Sequence, residues 1–168
     1  MSRHRVGMGF DVHPFALAGA GRMLVLGGVE FPEGRPLSGH SDADVVAHAV
    51  ADALLGAAGL GDLGRHFPDT DPEWAGADSM GLLGRAVVLV GQAGWEPVNV
   101  DCKVVLENPR LAPRREEMEE RLSAAVGAPV TVGGKRAEGL GALGRAEGIA
   151  CWAVALLEQR DGEAGESG

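Results

Sequence analysis

Asp11-Val12-His13 is the first place along the 168-residue chain where side chains suited to holding a metal stand close together. Residues two apart on a strand point to the same face, so both would turn towards one ion. A second constellation, His40-Ser41-Asp42-Ala43-Asp44 followed by His48 and Asp52, sets Asp44, His48 and Asp52 on one helical stripe at spacing four. If His48 reaches the strand end, three N/O ligands meet. Three protein ligands with an open fourth position is the pattern of catalytic zinc, whereas structural zinc is usually closed by four, mostly thiolates. Cys102 and Cys151 form no CxxC and lie in apolar segments, so they read as buried small hydrophobes rather than a disulfide or metal pair. Spacing alone also allows the plain alternative: Asp-x-His is a common tripeptide, and a helical His often serves as a hydrogen-bonded core residue.

Cations form a third group: Lys135-Arg136, Arg145, and Arg110 after Pro109, in loops rich in glycine or bounded by proline. Arg offers a planar fork of donors and exposed loop amides add more, so such places suit a phosphate group. Scattered surface charge is the competing reading, and Arg114, Arg115 and Arg121 are assigned to it. Asp62, Asp69 and Asp71 are turn-makers by their proline neighbours, or acceptors for a ligand hydroxyl. A net charge of −9 and the lack of a Lys/Arg block argue against unspecific nucleic-acid binding.

The elements that must position these groups follow from pattern. Hydrophobic residues make up 45% and charged residues 23%, which supports an ordinary core. The length predicts one domain over residues 1–158 with a polar tail over 159–168. No apolar run approaches the roughly 18 residues of a membrane span, and Met1 to Arg5 leads into no signal-type stretch, so a cytoplasmic protein without membrane contact is expected. Arg5 to His13 reads as a strand, and Met23 to Phe31 as a hairpin or bend at Gly27-Gly28. A long helix is predicted from a capping-box-like start at Ser41 and Asp44 up to Gly59. Leu60 to Asp78 reads as a long loop with one short helical turn, of the kind that is commonly functional. Helices are expected over Ser79 to Ala93 and after Pro113, with strands over Val98 to Leu106 and Val130 to Lys135. Ile149 to Leu157 fits helix or strand by pattern alone. The sum is an α+β sandwich: one mixed sheet with helices on one face and a small extra hairpin.

With these motifs in order, the sequence resembles the 2-C-methyl-D-erythritol 2,4-cyclodiphosphate synthases of the non-mevalonate isoprenoid pathway. The resemblance rests on Gly9-Phe10-Asp11-Val12-His13, His40-Ser41-Asp42-Ala43-Asp44, His48, and Asp52-Ala53-Leu54-Leu55-Gly56-Ala57-Ala58. It continues through Leu60-Gly61-Asp62-Leu63-Gly64, Phe67-Pro68-Asp69-Thr70-Asp71-Pro72 and Gly144-Arg145-Ala146-Glu147-Gly148-Ile149-Ala150, from about Val6 to Leu157. It implies a homotrimer with active sites between subunits and favours strand for Ile149 to Leu157. It also implies zinc, or a similar divalent ion, on Asp11, His13 and His48. The implied reaction starts from 4-diphosphocytidyl-2-C-methyl-D-erythritol 2-phosphate: its 2-phosphate attacks the β-phosphorus, closing a cyclic diphosphate and releasing CMP.

Matching positions imply roles for single residues. His40 matches a residue that stabilises the transition state, with Val12 and Ser41 beside the substrate. Asp62, Leu63 and Gly64 match the erythritol-binding turn. Phe67, Pro68, Asp69, Thr70 and Asp71 match a mobile loop over the substrate. Leu106, Glu107, Asn108, Pro109, Arg110, Leu111 and Ala112 match the cytidine pocket. Glu138 matches the ligand of a second divalent ion, Mg2+ or Mn2+, at the substrate diphosphate. The departures cluster: Lys135-Arg136-Ala137-Glu138 stands where the family has a Thr-rich run, so Arg136 is expected to take over the phosphate contact. Ala142 stands where a Phe often lines the trimer's central cavity, and Ala146 where Gly is frequent; Arg145 would hold an isoprenoid diphosphate there. The alternatives are a zinc-dependent phosphodiesterase or other hydrolase, and a non-catalytic trimer that binds a diphosphate.

Overall fold

In the computed structural model, which describes residues 3–17 and 21–160, strand β1 (His4–Pro14) inverts the usual alternation. Its helix-facing positions are Gly7, Gly9, Asp11 and His13, while Val6, Met8, Phe10 and Val12 face outward and are exposed. The two glycines are required by contact. A Cβ at Gly9 would overlap the Ala49 carbonyl, and one at Gly7 the Ala53 carbonyl and the Ala57 amide. Helix α1 (Val45–Ala58) therefore lies flush on β1 along Ala49, Ala53 and Ala57, and nearly every one of its side chains is buried.

Asp44, not Ser41, caps α1, accepting the N–H groups of Val46 and Ala47, both at 3.1 Å. This corrects the expected start at Ser41. It also removes Asp44 from the expected stripe with His48 and Asp52, because the Asp44 carboxylate turns back to the hairpin. That hairpin is β2 (Leu24–Leu26) and β3 (Val29–Phe31), joined by Gly27 and Gly28 at φ 58° and 73°. Two central residues at positive φ make the turn that matches strand twist. The Gly27 and Gly28 amides donate to Asp44 at 2.8 and 2.7 Å. One buried carboxylate thus satisfies four backbone donors from two elements.

After α1 come α2 (Leu63–His66), a 3-10 turn at Pro72–Trp74, and α3 (Ser79–Gln92). The Leu60 to Asp78 stretch thus holds two short helical turns rather than one. Strand β4 (Trp95–Val105) shifts register between Pro97 and Asn99, a bulge where a residue without an N–H is tolerated. A 3-10 turn at Ala112–Arg114 leads into α4 (Arg115–Val126), which buries Met118, Leu122 and Val126. Strand β5 (Val130–Lys135), the short α5 (Gly141–Gly144) and β6 (Gly148–Gln159) follow. Ile149 to Leu157 is strand, as the resemblance favours. Gln159 still pairs with Trp95, and residues 161–168 of the expected tail lie outside the described part.

The sheet runs β1-β6-β4-β5, antiparallel except for the β4–β5 pair, whose parallel pairing the α4 crossover permits. One apolar cluster fills the space between sheet and helices. The opposite sheet face carries Val6 (69% exposed), Met8 (68%), Phe10, Trp152 and Val154, an apolar surface over which no helix of the described residues lies. Among the described residues no helix is long and apolar enough to cross a membrane.

Candidate metal centre and substrate clefts

The end of β1 and the first turn of α1 bring Asp11, His13 and His48 together, the one such ligand group among the described residues. Asp11 Oδ2 lies 3.0 Å from His13 Nε2 and 2.9 Å from His48 Nδ1, and the two nitrogens are 3.4 Å apart. The outer nitrogens identify the tautomers. His13 Nδ1 lies 2.9 Å from the Ser38 carbonyl, which only accepts, so Nδ1 carries the proton and Nε2 presents a lone pair. His48 Nε2 lies 2.8 Å from Ser79 Oγ, whose own hydrogen is directed to Asp42 Oδ1; Ser79 accepts, and His48 Nδ1 presents its lone pair.

Two lone pairs and a carboxylate oxygen thus converge on one point, an arrangement that is repulsive until a cation or a proton sits there. When a proton takes that point it pairs histidine with carboxylate favourably, and the titration of Asp11 and His13 reflects that pairing. Burial pushes the Asp11 carboxyl up, but hydrogen bonds from His13 and His48 and their charge outweigh it and hold it well below the usual carboxylate range. Burial pushes His13 down, and the Asp11 hydrogen bond and charge outweigh it, raising His13 above its ordinary 6.5. Three N/O ligands with oriented outer nitrogens and an open side fit a divalent cation such as zinc.

The centre opens into a cleft of about 440 Å3 that also touches His40, Ser41, Leu63, Gly64, Phe67, Pro68 and Asp69. The structure therefore brings most of the residues expected around the erythritol and the covering loop to the metal ligands. Asp62, Thr70, Asp71 and Val12 are not on its wall. Asp62 caps α2 through the Arg65 amide, and Asp71 caps the 3-10 turn through the Glu73 amide, which is the turn-maker reading. Val12 points to the open sheet face. Sequence reasoning missed Trp74, which lines the cleft and meets Phe67 edge-on with ring centroids 5.2 Å apart. It also missed the use of Asp52, whose carboxylate accepts the Leu63 amide at 3.0 Å and anchors α2 to α1.

A separate depression of about 310 Å3 is walled by all seven residues from Leu106 to Ala112, with Lys135 and Arg136. Glu107, nearly buried, accepts from Arg136 Nε at 3.1 Å and from the Ala137 amide at 2.9 Å. Arg136 is thus held by a carboxylate at the rim. Glu138 follows at φ 53°, a backbone state that side chains adopt at a cost and that marks functional loops. Ala146 has φ 54°, which explains why Gly is the easier residue there. Arg145 pairs with Glu147 at 2.6 Å, and Ala142 sits in α5. Among the described residues, none lines both the metal-centre cleft and this depression.

Fold and centre together define an α+β sandwich with an open Asp-His-His site at a strand end, the build of a metal-assisted enzyme of small substrates. A family model matches residues 4–158, and the chain belongs to the YgbB family. It is similar to 2-C-methyl-D-erythritol 2,4-cyclodiphosphate synthase of Rubrobacter xylanophilus, 56% identical over 165 residues, covering 96% of this chain and 99% of that one. Among solved structures, a bifunctional IspDF from Campylobacter jejuni matches with TM-score 0.88 at 38% identity, covering 94% of this chain and 43% of that one. A CDP complex of IspF from Plasmodium falciparum matches with TM-score 0.81 at 29% identity, covering 96% and 99%.

Proposed function

We propose that this chain converts 4-diphosphocytidyl-2-C-methyl-D-erythritol 2-phosphate into 2-C-methyl-D-erythritol 2,4-cyclodiphosphate and CMP in the cytoplasm. The observation that carries the reading is the convergence of the Asp11, His13 and His48 ligand atoms on the cleft walled by Leu63, Gly64 and Phe67. The nucleophile is already a phosphate oxygen and the leaving group is a nucleotide, so the protein need only position the two and neutralise charge. Zinc on the three ligands would supply Lewis-acid polarisation of a phosphate oxygen. Glu138 is the residue for a second ion, Mg2+ or Mn2+, at the diphosphate. The Asp62–Gly64 turn, fixed to α1 by Asp52, orients the erythritol hydroxyls, while Phe67 and the following loop exclude water. His40 contacts the transferred phosphate, and backbone groups of 106–112 read cytosine, in line with the CDP bound by the Plasmodium relative.

Cleft and nucleotide pocket share no wall in one chain, yet one substrate must span both. A homotrimer answers this if the bare apolar face of β1 and β6 is the subunit interface and each active site forms between neighbours. The double variant Met8→Asp/Val154→Asp is then expected to sediment as a monomer that still binds Zn2+ but turns over no substrate; a trimeric, active variant would refute the interface. In the trimer's central cavity, Arg145 is the cation for an isoprenoid diphosphate.

Arg136 donates to phosphate from its seat on Glu107. Arg136→Ala is expected to lower kcat/KM by roughly ten- to a hundredfold, from the about 1.5–3 kcal/mol of a hydrogen bond to a charged group. Unchanged kcat/KM would remove Arg136 from the site.

The activity itself is tested by phosphorus NMR of the protein with substrate and Mg2+, with and without chelator. CMP with a cyclic diphosphate, lost on chelation, is expected. CMP with an open-chain product would establish a hydrolase instead, and bound but unaltered substrate a binding trimer.

A further inference from the structure

We infer that Ser79, the first residue of α3, is a positioning residue for the metal ligand His48: its hydroxyl accepts the Nε2 hydrogen bond, donates its own hydrogen bond to Asp42, and so fixes the Nδ1 lone pair on the metal point. This rests on the metal-site reading proposed above. His48, Ser79 and Ser41 are all buried, at 9%, 1% and 7% exposure, so water does not compete for these bonds. Two hydroxyls face His48 Nε2, and they are not equivalent. Ser41 Oγ is 3.1 Å away and already accepts the Ala43 amide. Ser79 Oγ is closer, at 2.8 Å, and its hydrogen is engaged by a carboxylate, which makes its oxygen the better acceptor.

Asp42 grips Ser79 twice, since its second oxygen accepts the Ser79 amide at 3.1 Å. The approach to α3 is stitched to the same segment, with the Gly76 amide donating to the His40 carbonyl at 2.8 Å and the Asp42 amide to the Ala77 carbonyl at 3.1 Å. A hydroxyl 31 residues beyond His48 is thereby tied to the segment that leads into the helix bearing His48. Outer partners of this kind set the tautomer and ring orientation of ligating histidines, and losing one typically costs 10–100-fold in metal affinity.

The test is Zn2+ binding by chelator competition in full-length protein, with side-chain 15N NMR of His48 in the metal-free state. Ser79→Ala keeps the start of α3, because Asp78 supplies the cap through the Met80 amide. It is expected to bind Zn2+ about 10–100-fold more weakly and to shift His48 from the pure Nε2–H tautomer to a mixture. Ser79→Thr, which restores the hydroxyl, should recover both readouts, and Ser41→Ala should change affinity far less than Ser79→Ala. Wild-type affinity in Ser79→Ala overturns the assignment, as does weakened binding with an unchanged tautomer. Wild-type Zn2+ binding in His48→Ala would instead overturn the underlying metal reading.

Discussion

His48→Ala is expected to leave a folded protein that holds no stoichiometric zinc and has lost on the order of a thousandfold or more of kcat. The site has three protein ligands, and removing one leaves a strand-end Asp-x-His pair, a far weaker chelator. The several kcal/mol of transition-state charge stabilisation attributed to a Lewis acid at phosphate goes with the ion, and each 1.36 kcal/mol is about tenfold. Substrate affinity should fall much less, because the nucleotide pocket over 106–112 does not touch the centre. Steady-state kinetics with metal analysis checks both halves. A variant without zinc and with wild-type kcat would remove the metal from the mechanism; equal loss of binding and turnover would make His48 a fold residue.

Asp44→Ala is expected to cost about 3–5 kcal/mol of stability, from a lost helix cap of roughly 0.5–2 kcal/mol and from buried hairpin amides left without an acceptor at about 1–3 kcal/mol each. In a chain of this length that lowers Tm by roughly 6–20 °C. Asp44 is fully buried and its four donors come from Gly27, Gly28, Val46 and Ala47, so one substitution removes the acceptor of all four. Asp44→Asn keeps one acceptor oxygen and should fall between. Thermal melts of the three proteins decide it; a drop of less than about 1 kcal/mol for alanine would mean the hairpin contributes little to the fold.

The metal ligands were legible because each sits in a periodic element: Asp11 and His13 alternate on a strand, and His48 lies on an apolar helix with a clear pattern. The start of that helix was misread because Ser41 and Asp44 both fit a cap, and only the fold shows Ser41 turned to His48 and Asp44 shared with the hairpin. Ile149 to Leu157 gave no period because its outward positions Trp152, Val154 and Leu156 are as apolar as its buried ones, so alternation has no polar side to show. Ser79 and Trp74 left no signal, since their contacts reach the centre from another part of the chain. Arg136 was picked out by its charge, but its Glu107 partner, 29 residues away, was visible only once β4 and β5 were paired.

The gap between Asp11 and His48 is gauged by atoms that are missing from β1. Gly9 lies one inward position before Asp11, and Ala49 one residue after His48, so the strand-to-helix spacing at that contact is the spacing of the ligands themselves. A single methyl at Gly9, the mildest change the chain allows, would act as a shim, lifting α1 and drawing His48 away from the Asp11 carboxylate. The spacing within the Asp-His-His cluster is thus calibrated by two glycines and three alanines that are not part of it.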